Sequence, residues 1–268
     1  MPEAYWEDEK RGLTIYHGDA RELVPMLPAE SVDLVLMDPP FGHNNNNNGD
    51  LIQRWEAVFG DGVTLGAPIP IANDGPEANA LFRDLLPELK RVLKPGCCCC
   101  CCCCGGGPDP QFARWSLWLG EVFDFVQMIV WDKGPMGMGL RYRRSYEVVL
   151  VGKKPGARMA WYDTTKRVEN IIRPAAVGKI IPSAVQHPTQ KPVELMAHFI
   201  RLHSKPGDLV LDPFCGSGTT GVASAKLGRR FIGMDCAEEW VARTAARLGG
   251  PMETAKAHLF NQKEDAPA

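Results

Sequence analysis

An α/β fold built on a mostly parallel, doubly wound sheet is what this 268-residue sequence predicts. Three observations carry the expectation. Short apolar runs of strand length alternate with stretches of helical period along most of the chain. Two of those runs end in an acidic residue at a turn, Met37 then Asp38 and Leu211 then Asp212. The second of these turns is glycine-rich and opens a helix, the arrangement by which such sheets take up nucleoside ligands at their strand ends.

The elements follow in order. Residues 13–17 form a first strand ending at Gly18 and Asp19, then a short helical stretch carries Leu23, Met26 and Leu27, and residues 32–37 form the next strand. A loop over 42–76 holds five consecutive asparagines and a possible short helix at 51–59; loops of this length inside a domain are functional or disordered. Apolar residues at 81, 82, 85, 86, 89, 92 and 93 give a helix over 77–93, with Pro87 as a potential kink, and Lys94-Pro95-Gly96 is expected to end it.

Eight consecutive cysteines follow, 97–104. Same-face neighbours on a strand are about 6.6 Å apart, whereas two thiolates on one zinc lie roughly 3.8 Å apart. A core strand is therefore favoured over a metal site, no metal is expected, and so many thiols imply a reducing compartment. Beyond a helix at 111–119 come strands at 123–131 and 146–151, joined by a loop rich in glycine and arginine. Residues 152–186 have no clear period and read as an insertion. The segment His-Pro-Thr-Gln-Lys-Pro at 187–192 leads into a helix, followed by a strand at 209–211, the turn 212–220 opening a helix to Gly228, a strand at 230–234 ending at Asp235, and an amphipathic helix bearing Trp240, Val241, Ala245 and Leu248. A single domain over 1–250 with a loose tail at 251–268 is expected.

The net charge is −2, but its distribution is polarised. Residues 1–61 hold four Lys/Arg against twelve Asp/Glu, and residues 132–191 hold twelve against four. The second segment suits a polyanion, with Lys133, Arg141, Arg143 and Arg144 at its centre. The acidic N-terminus lacks a signal-peptide pattern and no run reaches the length of a membrane span, so a soluble, cytoplasmic protein without a membrane partner is expected.

Two motifs carry chemistry. Asp38-Pro39-Pro40-Phe41 places a carboxylate, two prolines and an aromatic ring at a strand end. Proline fixes φ and keeps the preceding residue extended, so Asp38 and the Pro39 carbonyl form a rigid acceptor pair beside a ring suited to a flat ligand. The bland alternative is a strand terminator with a solvated Asp. In the late turn, Gly216 and Gly218 let the backbone approach a ligand, and Asp235 lies where a ribose diol is bound in dinucleotide sites. No Gly-Lys-Ser/Thr follows, so this is no P-loop. Gly221 completes a dinucleotide-like glycine pattern, but Asp212 at the head of the turn repels a pyrophosphate and favours a cationic ligand.

These motifs resemble those of the amino-methylating DNA methyltransferases, the DNA methylase N-4/N-6 family, in the order called the β class. Asp-Pro-Pro-aromatic comes first (Asp38 to Phe41) and Phe-x-Gly-x-Gly late (Phe214 to Gly218), with Trp131-Asp132-Lys133 and the segment 187–192 similar to family stretches between them. The resemblance spans residues 13–248 and implies a Rossmann-like S-adenosylmethionine-dependent methyltransferase fold with circularly permuted motif order. It also implies that Phe214, Gly216 and Gly218 wrap the cofactor, that Asp235 holds its ribose, that Asp19 lies near its adenine, and that Thr189 and Lys191 meet its amino-acid end. Asp212 would face the ammonium or sulfonium, and Lys191 the carboxylate, as charge pairing alone suggests.

The expected reaction is methylation of an exocyclic amine on a base flipped out of double-stranded DNA, with Asp38 and the Pro39 carbonyl accepting the amine hydrogens and Phe41 stacking on the ring. A leading Asp tilts the base toward adenine N6 rather than cytosine N4, as in the resembled family. Cys215, inside the cofactor turn, is read as packing rather than as a nucleophile. The segment available for target recognition, residues 152–186 plus the loop after Phe41, is short, which implies a short recognition sequence or a second subunit, as in a homodimer. Rival readings are a nicotinamide-dependent oxidoreductase using the same turn, and a DNA-binding module without catalysis.

Overall fold

A computed structural model describes residues 1–42, 72–103, 111–134, 145–173 and 190–249. Its strands are β1 (Trp6–Asp8), β2 (Leu13–His17), β3 (Val32–Met37), β4 (Leu93–Cys103), β5 (Asp124–Asp132), β6 (Tyr146–Lys153), β7 (Ile171–Ile172), β8 (Leu209–Asp212) and β9 (Arg230–Asp235). Its helices are α1 (Ala20–Leu23), continued by a 3-10 turn at Val24–Met26, then α2 (Ala78–Val92), α3 (Gln111–Val122), α4 (Val193–His203), α5 (Thr219–Lys226) and α6 (Glu238–Gly249).

The nine strands of the described residues join one sheet in the order β1-β2-β9-β8-β3-β4-β6-β5-β7. The run from β2 to β4 is parallel throughout, as is β5 with β7. Antiparallel pairs occur at the β1 edge and where β6 inserts between β4 and β5. The expected mostly parallel, doubly wound sheet is what forms.

The cysteine run is a central strand, and its side chains alternate as a pleat requires. Cys97, Cys99 and Cys101 lie in one core with Val35 and Met37 of β3, Phe82, Leu85 and Leu89 of α2, and Trp115 and Leu119 of α3. Cys98, Cys100 and Cys102 lie in the other with Leu34 and Leu36, Leu195, Phe199 and Ile200 of α4, Val222 of α5 and Val241 of α6. With a core on each face, β3 from Leu34 to Met37 and β4 from Cys97 to Cys102 have no polar side to show, which is why these stretches read as continuous apolar runs.

Several boundaries differ from the sequence expectation. Pro87 lies inside α2 without ending it. Both Pro87 and Arg83, whose carbonyl loses its usual partner, are on the exposed side, where water can replace the missing bond. β4 begins at Leu93, ahead of Lys94-Pro95-Gly96, because the chain bulges there: Val32 pairs with Leu93 but Leu34 with Cys98. Gly96 takes φ +81°, and a Cβ on it would fall 2.3 Å from the Arg158 carbonyl oxygen. The edge strands β1 and β7, two to three residues long, are too short to show a period. The stretch read as an insertion from residue 152 starts inside β6 and supplies β7. The asparagine run, the piece at 51–59 and the tail at 251–268 lie outside the described residues.

Candidate active site

Adjacent parallel strands β3 and β8 are in register through Leu34 with Val210 and Val35 with Leu211. From β3 the chain crosses through α2 to β4 on one side; from β8 it crosses through α5 to β9 on the other. The crossovers pack on opposite faces, so the gap beyond the carboxyl ends of β3 and β8 is the switch point at which such sheets bind ligands. One crevice opens there. It is lined by Asp38 and Phe41 after β3, Asp212, Phe214 and Gly216 around the end of β8, Asp235 at the end of β9, Asp19 after β2, and Lys191 before α4.

The late turn is tied from within. Phe214 N–H donates to Asp212 Oδ1 at 3.0 Å, Cys215 N–H to the Met234 carbonyl at 2.8 Å, and the Thr244 hydroxyl to the Gly216 carbonyl at 2.6 Å. Asp235 accepts Gly216 N–H on Oδ2 and Ala237 N–H on Oδ1, both at 2.9 Å, which leaves lone pairs on each oxygen for a further donor. Gly218 is not a wall of the crevice; at φ +77° it starts α5, with a backbone that favours glycine. Cys215 is buried, and burial drives its thiol well above the ordinary range, as packing requires. Asp19 N-caps α1, accepting Arg21 N–H at 2.8 Å.

The crevice is acidic. Burial pushes Asp212 up to about 7, against the Thr220 hydroxyl and Phe214 N–H, with the neighbouring Asp38 and Asp235 charges adding to the rise. Burial likewise raises Asp235 and, despite Lys191, Asp38. A cation bound among these three carboxylates would relieve all of them, and a pyrophosphate would be repelled.

Lys191, expected at a cofactor carboxylate, has the protein's own carboxylates as partners. Its Nζ lies 2.8 and 3.0 Å from the two Asp38 oxygens and 3.4 Å from Glu147 Oε2, and its side chain is only 6% exposed. Burial alone would lower its pKa; Asp38 and Glu147 outweigh burial and hold it above the usual lysine range. The ammonium also sits over the Phe41 ring, 5.1 Å from its centroid. Phe41 is buried against Trp115, with ring centroids 6.4 Å apart, and Pro39 beside it is buried too.

Two participants had no signal in the motifs. Glu147, near the start of β6, binds Lys133 Nζ through Oε1 at 2.7 Å. Its one sequence cue is an acid directly before the run Val148 to Val151. Asp74 is 1% exposed, and its Oδ1 accepts both Phe41 N–H and Gly42 N–H at 2.8 Å, fixing the chain just after the two prolines. It falls near the end of the stretch 42–76 that the sequence marks as a loop, where nothing periodic singles it out. Lys133, expected at DNA, spends its ammonium on Glu147 and on the Trp131 ring. Thr189, Arg141, Arg143 and Arg144 lie outside the described residues. Among the described residues, no group of His, Cys, Asp and Glu is arranged to hold a metal, and no helix is long and apolar enough to cross a membrane.

Comparison with known proteins matches this geometry to one family. The family model described as DNA methylase aligns with residues 32–246. DNA adenine methyltransferase YhdJ of Escherichia coli K12 is 31% identical over 266 residues, covering 88% of this chain and 82% of that protein. Type II methyltransferase M2.DpnII of Streptococcus pneumoniae is 27% identical over 275 residues, covering 95% of each. The solved structure of the M1.HpyAVI–SAM complex superposes with a TM-score of 0.59 at 25% identity, over 87% of this chain and 98% of that one.

Proposed function

The chain belongs to the DNA methylase family, and we propose that it methylates the exocyclic N6 amine of an adenine flipped out of double-stranded DNA, using S-adenosylmethionine. The observation that carries this reading is the placement of Asp38 across the β3–β8 gap from the glycine turn, so that an acceptor for an amine and a cradle for a cationic nucleoside share one crevice.

The donor set fits the cofactor. Asp235 has lone pairs to offer a ribose diol, Asp212 and its acidic neighbours suit an ammonium and a sulfonium, and Phe214, Gly216 and Asp19 supply walls for the nucleoside. When bound there, S-adenosylmethionine supplies an electrophilic methyl group. The chain's residues prepare the acceptor. Asp38 and the Pro39 carbonyl accept hydrogen bonds from the two amine hydrogens and favour the state in which nitrogen becomes tetrahedral, when the lone pair leaves conjugation with the ring. Pro40 stiffens that acceptor pair, Phe41 offers a ring for the base, and the Lys191 ammonium favours the ionised, accepting form of Asp38 against the effect of burial.

Adenine is preferred because the motif leads with Asp38 and because YhdJ is named for adenine. The test is incubation with labelled S-adenosylmethionine and unmethylated DNA, then digestion to nucleosides. N6-methyladenine is the expected product; N4-methylcytosine would replace the base assignment, and label in neither would overturn the reading.

A further inference from the structure

Behind Asp38 stands a row of alternating charges: Lys191 on Asp38, Glu147 on Lys191, and Lys133 on Glu147. The β5–β6 hairpin sets the far end, since Lys133 N–H donates to the Ser145 carbonyl at 2.7 Å and Trp131 pairs with Glu147. The near end follows from the chain before α4.

The two carboxylates hold Lys191 unequally. Asp38 holds the ammonium closely with both oxygens, at 2.8 and 3.0 Å, whereas the buried Glu147 Oε2 meets it only in a looser ion pair at 3.4 Å. A buried carboxylate oxygen held at that distance has room to bind the ammonium more closely, and a closer, charge-assisted bond there would be worth more. An amine donating to Asp38 must compete with Lys191 for the same two oxygens. Glu147 Oε2 is the adjacent acceptor with capacity to spare.

We infer that Glu147 is a positioning residue for the methyl-accepting site, taking over the Lys191 ammonium when the target amine occupies Asp38. The inference rests on the proposed function for the identity of the incoming amine. Glu147 touches neither base nor cofactor and acts through Lys191. Besides Lys191, Glu147 and Lys133, the groups facing this row are Asp212 on β8, toward Asp38, and the Cys102 thiol on β4, toward Lys191.

The test has one readout independent of turnover. In carbon-13 NMR of the full chain, the Asp38 carboxyl is identified by its loss in Asp38→Asn and titrated in wild type, Glu147→Gln and Lys133→Gln. The Glu147 charge raises Asp38 and the Lys133 charge lowers it. Glu147→Gln is therefore expected to move the titration down by about one unit and Lys133→Gln to move it up. In turnover, Glu147→Gln is expected to lower kcat about tenfold, the scale of one charged hydrogen bond, with the acid limb of the kcat profile displaced to lower pH and KM for S-adenosylmethionine unchanged. Glu147→Asp, which keeps the charge, is expected to restore the limb.

An Asp38 titration that neither variant moves overturns the inference, as does a Glu147→Gln enzyme with wild-type kcat. A Glu147→Gln protein that fails to fold leaves the Lys133→Gln titration to decide. A wild type that incorporates no methyl group overturns the proposed function instead, and the titration still judges Glu147.

Discussion

Asp74 and Phe41 are joined by a hydrogen bond across 33 positions, Phe41 N–H to Asp74 Oδ1 at 2.8 Å, and the same oxygen accepts Gly42 N–H at 2.8 Å. One buried carboxylate thus fixes the segment that aims Asp38. Asp74→Ala leaves two N–H groups without this acceptor and is expected to cost about 2–3 kcal/mol of unfolding free energy, measured by urea denaturation. Asp74→Asn keeps an acceptor oxygen and is expected to cost less than half of that. In both variants kcat falls further than affinity for S-adenosylmethionine.

Asp38 and Asp235 separate chemistry from binding. Asp38→Asn is expected to reduce methyl transfer about 10²- to 10³-fold, the range for losing one preorganised electrostatic contact. Its dissociation constant for S-adenosylmethionine, by calorimetry, stays close to wild type. Asp235→Ala reverses the pattern, weakening cofactor affinity about tenfold or more. Equal losses in both parameters for both variants would remove the distinction.

The acidity of the crevice makes cofactor binding depend on pH. Asp212 rises from 3.8 to about 7 on folding. Between those values the unfolded chain binds fewer protons at this site, so the ligand-free fold loses stability from Asp212 as pH rises through the window. A cationic ligand draws the opposite response, since it favours the ionised carboxylate. Affinity for S-adenosylmethionine is expected to increase as pH rises through about 7 with release of protons, seen as a buffer-dependent heat in calorimetry. Asp212→Asn should flatten that rise and gain Tm relative to wild type toward neutral pH.

Away from the crevice, Gly96→Ala tests the bulge that sets the register of β4. The added Cβ meets a backbone carbonyl oxygen at 2.3 Å, and φ +81° disfavours any side chain. A loss of about 1–3 kcal/mol is expected by urea denaturation, the range for a strained backbone position. Gly207→Ala has a similar φ but no atom within 4 Å of the added Cβ, and it should cost less.

The strands that meet the crevice were legible in the sequence because each is a short apolar run closed by an acid: Met37 before Asp38, Leu211 before Asp212, Met234 before Asp235. Position in a parallel sheet then brings together residues nearly two hundred apart, and four motifs in one order imply the family. Glu147 and Asp74 were not legible. Each matters through a partner far away in the chain, Lys191 for the first and the Phe41 amide for the second, and a lone acid beside apolar residues carries no mark of which distant group it will meet. For Lys191 the residue was found but not its neighbours, since a lysine before a helix suits a ligand carboxylate as well as the protein's own. The helix containing Pro87 continues through it because Arg83 and Pro87 both fall on its exposed side, off the apolar face that the sequence already marked.

The alternating thiols of β4 give the molecule a built-in clock for opening. Burial raises Cys97 to about 11 and Cys98 to about 12, and lifts Cys100 well above the ordinary thiol value, so at neutral pH almost none of these sulfurs is the reactive thiolate. Cys236, at the surface, is the exposed free thiol among the described residues. Among the described cysteines a maleimide should therefore reach Cys236 first and Cys97 to Cys102 only as the central strand separates from β3 and β6. Mass spectrometry of that second wave reads the lifetime of the native sheet directly, with no dye or engineered probe.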